Sequence, residues 1–270
     1  MKLAYMYATS EVEAAKVTAI QGDAPACFAR IRELGYEGVE LLVRDPRAID
    51  HALIERQLAE AGLAMPAICT GEVYGEDMLS LADPDPARRT ETLERMIAGM
   101  DLAARFGAMV NVGRMRGRYL DGINRSQTEA WVAEGMQAAA DARPDTRIVL
   151  EPVNHQYANF LTGTAEAVRF VQSLNRSNIG LMLDLAHITI EGEVHRDSLQ
   201  SAGNLFWHYH VCDSDRQAVG HGNWDIAAAL NDLDAVGYNH WITAEHFQLP
   251  NAETAMAQSI RWLHARYNQH

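Results

Sequence analysis

A chain of 270 residues, 48% of them hydrophobic, can bury a large core as one big domain or two small ones. Its 23 lysines and arginines against 36 acids give a formal charge of -13, which argues against nucleic acid or an acidic membrane surface as partner without a strong local basic patch. The three cysteines, Cys27, Cys69 and Cys212, stand in apolar stretches without CxxC pairing, so neither a disulfide framework nor a thiolate zinc site is expected.

The opening "MKLAYMYATS" lacks the apolar segment and cleavage site of a signal peptide, and no 18-residue apolar run follows, which predicts a soluble cytoplasmic protein. From there short apolar runs alternate with amphipathic ones. The short runs predict strands at Leu3 to Tyr7, Gly38 to Leu42, Ala64 to Cys69, Met109 to Val112, Ile148 to Glu151, Gly180 to Asp184, Trp207 to Cys212 and Trp241 to Ala244. Between them, "APACFARIRELG", "IDHALIERQLAEAG", "ARRTETLERMIAGMDLAARFG" and "QTEAWVAEGMQAAADA" carry the helical period, and Gly35, Gly62 and Gly107 stand where a left-handed residue ends a helix. Strands buried on both faces and joined by helical crossovers predict a closed parallel (β/α)8 TIM barrel spanning 1-270 as a single domain. An open doubly wound sheet fits less well, because no G-x-G-x-x-G follows the first strand and no linker divides the chain.

In such a barrel the active site is built from the loops after the strand C-termini, so the polar residues there form one set. The fifth strand closes with Glu151, the sixth with Asp184, the seventh carries His208 and His210, and the eighth closes with Glu245. Each alone has a structural reading as a cap, an ion pair or a core imidazole, but four on consecutive strands point to one site. Three converging carboxylates repel unless a cation joins them. With one neutral imidazole they make an oxygen-rich set that suits Mn2+ first, with Co2+, Mg2+ and Zn2+ as alternatives. His210, nearer the catalytic end, is assigned to the metal, and His208 to the core or to support of the site. His187, three residues past Asp184, is placed to touch a substrate oxygen. A separate patch, "GRMRGR" at Gly113 to Arg118, brings Arg114, Arg116 and Arg118 to the end of the fourth strand. It reads either as a solvated loop with its arginines paired to surface acids or as an anion clamp, centred on Arg116, for the far end of a phosphorylated or acidic substrate.

With "LEPVN" at Leu150 to Asn154, "LMLDLAH" at Leu181 to His187, "HYHVCDSDR" at His208 to Arg216, "GHG" at Gly220 to Gly222 and "ITAEH" at Ile242 to His246, the chain resembles the sugar isomerase and epimerase superfamily. That superfamily includes D-tagatose 3-epimerase, L-ribulose-5-phosphate 3-epimerase and hydroxypyruvate isomerase, all xylose isomerase-like TIM barrels. The resemblance implies one divalent metal on Glu151, Asp184, His210 and Glu245, the two glutamates as acid and base, and substrate contacts from His187, Arg216 and Asn154. One departure is local: where the 3-epimerases commonly continue E-P-x-N with Arg-Tyr-Glu, this chain has His155, Gln156 and Tyr157.

The expected activity is isomerisation or epimerisation of a sugar, sugar phosphate or small hydroxy-carbonyl compound through an enediolate. Dehydration of an inosose-type keto sugar begins with the same proton abstraction. An endonuclease IV-like DNA repair enzyme shares the barrel but needs three zinc ions and a basic groove, which a charge of -13 disfavours. A catalytically silent carbohydrate-binding barrel is the non-enzymatic alternative. The expected partner is a small carbohydrate-like molecule, with no nucleic acid and no membrane, and the chain is compatible with a homo-oligomer.

Overall fold

In a computed structural model that describes residues 1–267, the alternation of short and long apolar periods becomes eight strands: β1 Lys2–Ala8, β2 Gly38–Leu42, β3 Ala67–Cys69, β4 Met109–Val112, β5 Arg147–Leu150, β6 Ile179–Asp184, β7 Phe206–Val211 and β8 Trp241–Ala244. Every neighbouring pair is parallel and β8 closes onto β1, so the sheet has no free edge. The helices are α1 Ala24–Leu34, α2 His51–Ala61, α3 Gly71–Gly75, α4 Pro86–Ala104, α5 Arg125–Ala142, α6 Thr164–Leu174, α7 Leu185–Ile190, α8 His195–Ala202, α9 Ile226–Ala235 and α10 Ala252–Tyr267. The short α3 and α7 are turns of helix inserted directly after β3 and β6, at the C-terminal ends of the strands. Among the described residues no helix is long and apolar enough to cross a membrane.

Local chemistry starts these helices. Asp23, Asp50, Asp85, Asn124 and Asp225 each cap a helix by accepting a backbone N–H with the side chain, an arrangement worth about 1 kcal/mol per cap. Gly35, Gly62 and Gly107 have φ of 103°, 66° and 62°, as the sequence predicts. The third strand begins three residues later than expected. Ala64 makes only an isolated bridge to Gly38, and Pro66, having no N–H, cannot join the ladder as a donor.

Between sheet and helices lies the main core, which includes Phe28, Leu58, Met100, Met136 and Leu230. A second, smaller cluster of Ala67, Met109, Val149 and Met182 forms a separate group drawn from β3, β4, β5 and β6. Side chains along a strand alternate between faces, so Glu151 shares a face with Val149 and Asp184 with Met182. The polar site thus stands one layer above an apolar floor. Between β6 and β7 the pairing slips by one residue, from Leu181 opposite Phe206 to Met182 opposite His208, and this slip sets Asp184 opposite His210.

Candidate active site

Glu151 and Glu245 each follow the last residue or so of a strand, and their backbone N–H groups donate to Val112 O and Val211 O, both at 3.1 Å. Together with Asp184 and His210 they are buried, and one ligand atom from each lies within 4.8 Å of all the others. Asp184 does two jobs. Its Oδ1 accepts from Ala186 N at 2.7 Å and caps α7, which is the structural role an acid at this position would have anyway. Its Oδ2 is buried without a hydrogen bond, lying 2.8 Å from Arg216 Nη2 in a charge contact that is not aligned as one.

His210 is held between carboxylates. Nε2 lies 3.0 and 3.1 Å from the two oxygens of Glu40, while Nδ1 lies 3.0 Å from Glu245 Oε2 and 3.9 Å from Asp184 Oδ2. With Nε2–H given to Glu40, Nδ1 faces the acids, either as a donor in the cation or as a lone pair toward a metal. The orphaned Asp184 oxygen and the oxygen-rich donor set with one oriented imidazole fit a divalent cation. Burial alone would lower the His210 pKa, but Glu40 and Glu245 hold it well above the usual range.

The three acids divide electrostatically. Burial raises Asp184 above the ordinary carboxylate range despite Arg216 and His187. Burial also works against Glu151 and Glu245, yet His187 and His210 hold Glu151 below that range, and Arg216, His210 and Thr18 hold Glu245 well below it. A close approach matters at the first of these: a Cβ on Gly113 would stand 2.5 Å from Glu151 Oε2, so a larger residue there displaces the carboxylate.

The expected substrate residues separate into three groups. His187 and Arg216 line a cavity of about 310 Å³ together with Glu151 and Glu245. His187 Nε2 lies 3.3 Å from Glu151 Oε1, and Arg216 contacts Glu245 Oε2 closely while its Nη1 is buried without a hydrogen-bond partner. The "DSDR…GHG" loop delivers Arg216. Asp213 ties it by accepting from Ser214 N, Gly220 N and Trp224 N, and Asp215 and Arg216 take φ of 61° and 56°, a strained conformation typical of functional loops.

Asn154 is not at the cavity surface. It is fully buried with Nδ2 2.8 Å from His187 Nδ1 and Oδ1 accepting from Gln156 N, so it orients the imidazole and fixes Nε2 as the nitrogen facing Glu151. Arg116 departs further from expectation. Its guanidinium is wholly buried and donates to the carbonyls of Gly113, Glu151, Val153, Phe160 and Leu161, leaving nothing to offer a substrate anion. The segment forms a 3₁₀ turn at Arg114–Arg116 rather than an extended run, so the three arginines do not share a face. Arg118 reaches only Tyr157 O at 3.5 Å on the surface, and Arg114 alone lines the cavity.

Several site residues escaped the sequence reading. Glu40, completely buried in "GVELL", accepts from both histidines of β7, with His208 Nε2 at 2.8 Å. Asn111 in "MVNV" donates to Glu151 Oε2 at 2.9 Å. A lone polar residue inside a strand buried on both faces is the signal that marks both. Thr18 donates to Glu245 Oε1 at 2.8 Å from the loop after β1, where no pattern marks it. Tyr157, which the sequence marks only as a departure from the 3-epimerase pattern, lines the cavity beside the His187 ring.

A sequence model of the xylose isomerase-like TIM barrel family matches residues 28–266. An L-ribulose 3-epimerase of Methylomonas sp. is 31% identical over 218 residues, covering 79% of this chain and 74% of that protein. Another L-ribulose 3-epimerase, from Mesorhizobium japonicum, is 28% identical over 210 residues, covering 77% and 70%. Among solved structures, D-allulose 3-epimerase from Methylomonas sp. in complex with D-allulose superposes with a TM-score of 0.81 at 23% identity, covering 98% of each chain, a likeness of fold. The barrel closed by β8 and the match over 28–266 lead to one conclusion: the chain belongs to the xylose isomerase-like TIM barrel family.

Proposed function

We propose that this protein is a divalent-metal-dependent sugar epimerase that exchanges the proton on the carbon beside a ketose carbonyl, with Glu151 and Glu245 as the acid and base pair. The observation that carries this reading is the pair itself: two buried glutamates from strands three apart reach one cavity together with His187 and Arg216. The relatives named as L-ribulose 3-epimerases support the reaction class. Glu151, Asp184, His210 and Glu245 would hold the metal, Mn2+ in first place, which when bound polarises the substrate carbonyl and the neighbouring hydroxyl and acidifies the C–H between them.

The chain's own residues supply the proton traffic. The ionised glutamate takes the proton from one face of the carbon, and the C–H electron pair moves onto the carbonyl. The other glutamate, protonated, returns a proton to the opposite face and inverts the centre; return to the neighbouring carbon would isomerise instead. Asn154 keeps His187 Nε2 directed toward Glu151, and the guanidinium of Arg216, which lines the cavity, is placed to meet a substrate oxygen.

Turnover in D2O over a panel of ketoses, keto acids and their phosphates tests this whichever of them is the native substrate. The expected product carries deuterium beside the carbonyl, and Glu151→Gln or Glu245→Gln each lowers kcat by about 10²- to 10⁴-fold. Unlabelled product formed at wild-type rate would rule out proton exchange and with it the proposed pair.

A further inference from the structure

The cavity carries one charged pair that the proton-transfer chemistry does not use. Glu72 on α3 and Arg114 in the turn after β4 both line it, and Arg114 Nη2 donates to Glu72 Oε1 at 2.6 Å. Barrel order places the ends of β3 and β4 across the mouth from those of β7 and β8, so a substrate held at Glu245 and Arg216 extends toward this pair. Glu72 is only 8% exposed. Among the described residues, that single bond is the one hydrogen bond either side chain makes, leaving Glu72 Oε2 as an acceptor and Arg114 Nε and Nη1 as donors. The chain makes room for this arrangement. A Cβ on Gly75 would overlap Glu72 Oε2 and stand 2.8 Å from Arg114 Nη2.

Building on the epimerase reading, we propose that Glu72 and Arg114 form a specificity pair that reads the distal hydroxyls of a neutral sugar. A hydroxyl can donate to Glu72 Oε2 while a neighbouring one accepts from Arg114, which uses both halves of the pair at once. A phosphate or carboxylate can only accept, and would bring its charge against a carboxylate already in place. Of the three arginines of "GRMRGR", Arg116 is spent on carbonyls, Arg118 reaches the Tyr157 carbonyl outside the cavity lining, and the charge of Arg114 is answered by Glu72. Lys16 lines the exposed rim of the same cavity, with Nζ 4.8 Å from the Phe247 ring centroid, and belongs to neither half of the pair. The pair is partly buried, with the Glu72 side chain 10% and the Arg114 side chain 30% exposed, and a substrate that completes its hydrogen bonds gains selectivity over one that cannot.

The test compares six-carbon ketoses (D-fructose, D-psicose, D-tagatose), four-carbon erythrulose, which lacks the distal hydroxyls, and fructose 6-phosphate. In the metal-loaded enzyme, Glu72→Gln and Arg114→Met are each expected to lower the kcat/KM ratio of the best hexulose over erythrulose by about 10- to 100-fold, the loss lying in KM. Gly75→Ala, which displaces the carboxylate without removing it, should move the ratio the same way. The wild type should favour the neutral hexulose over the phosphate. An unchanged ratio in folded Glu72→Gln, which is isosteric, or a wild-type preference for the phosphate, overturns the pair. Calorimetric dissociation constants for the same sugars separate this from the reaction itself: hexulose binding that weakens in the variants without any deuterium exchange keeps the pair and removes the epimerase reading. Absence of ketose binding by the wild type removes both.

Discussion

Arg116 shows at the scale of one residue how a charge that looks functional becomes structural. Its guanidinium stitches the turn after β4 to the loop after β5, and the Phe160 ring lies 5.7 Å beneath it. Burial lowers its pKa to about 10, with the charges of Glu151 and Glu166 opposing, so it remains a cation at neutral pH. Replacing it takes the donor from four buried carbonyls, those of Glu151, Val153, Phe160 and Leu161, while Gly113 O keeps the Arg116 backbone N–H. Arg116→Met is therefore expected to cost about 3–5 kcal/mol in urea unfolding and to reduce activity on neutral and anionic substrates alike. Arg118→Ala, which touches only one surface carbonyl at 3.5 Å, should stay within about 0.5 kcal/mol of wild type in the same measurement. A selective loss of anionic substrates in Arg116→Met would restore the clamp.

Between elements, the junction of α8, α9 and β7 is held by a titratable group. His195, the first residue of α8, places Nδ1 3.1 Å from Asp232 Oδ2 on α9 and Nε2 2.8 Å from the Tyr209 hydroxyl on β7, and Arg196 adds a bond to Asp232 at 2.8 Å. Burial lowers the His195 pKa, against the pull of Asp232. The unfolded chain then binds this proton more readily than the folded one, so the neutral imidazole stabilises the fold fully above about pH 6.5 and less as pH falls below it. Denaturant midpoints between pH 7.5 and 5 should drop for the wild type, and the drop should be smaller in His195→Gln. The depressed pKa of Asp232, where hydrogen bonds from His195 and Arg196 outweigh burial, acts in a lower window, below about pH 4, and does not confuse the comparison. An equal or steeper drop in the variant would show that the histidine contributes nothing to the acid sensitivity.

For the whole molecule, a closed barrel with its own apolar floor should not need a metal to fold. The four proposed ligands are fixed by strand ends and by partners such as Thr18, Asn111 and Glu40, all present without a cation. Metal at about 100-fold its dissociation constant adds about 2.7 kcal/mol. For a chain of this size that corresponds to about 5–10 °C in Tm. A chelator should therefore lower Tm by that amount with an unchanged far-ultraviolet spectrum, and metal should restore it in the wild type but not in Asp184→Asn or His210→Ala. Unfolding on chelation, or full metal content in both variants, would contradict this account of the site.

The sequence alone determined the architecture, because short continuous apolar runs and longer stretches with a period of three to four residues translate into strands and helices. Eight buried strands with helical crossovers leave few ways to close a sheet. It also grouped Glu151, Asp184, His210 and Glu245 as one set, since polar residues that end neighbouring strands of a barrel share one rim, and the fold brings one atom of each within 4.8 Å of the others. The tertiary structure decided what depends on distance across the barrel. Glu40 and His210 are 170 residues apart and touch only because the sheet closes. The one-residue slip between β6 and β7 sets His210 rather than Tyr209 opposite Asp184, and register of that kind depends on pairing energies that no single strand encodes. The arginines of "GRMRGR" received their separate fates in the same way: identical side chains in one short segment were sorted by whichever acceptors the neighbouring loops brought within reach.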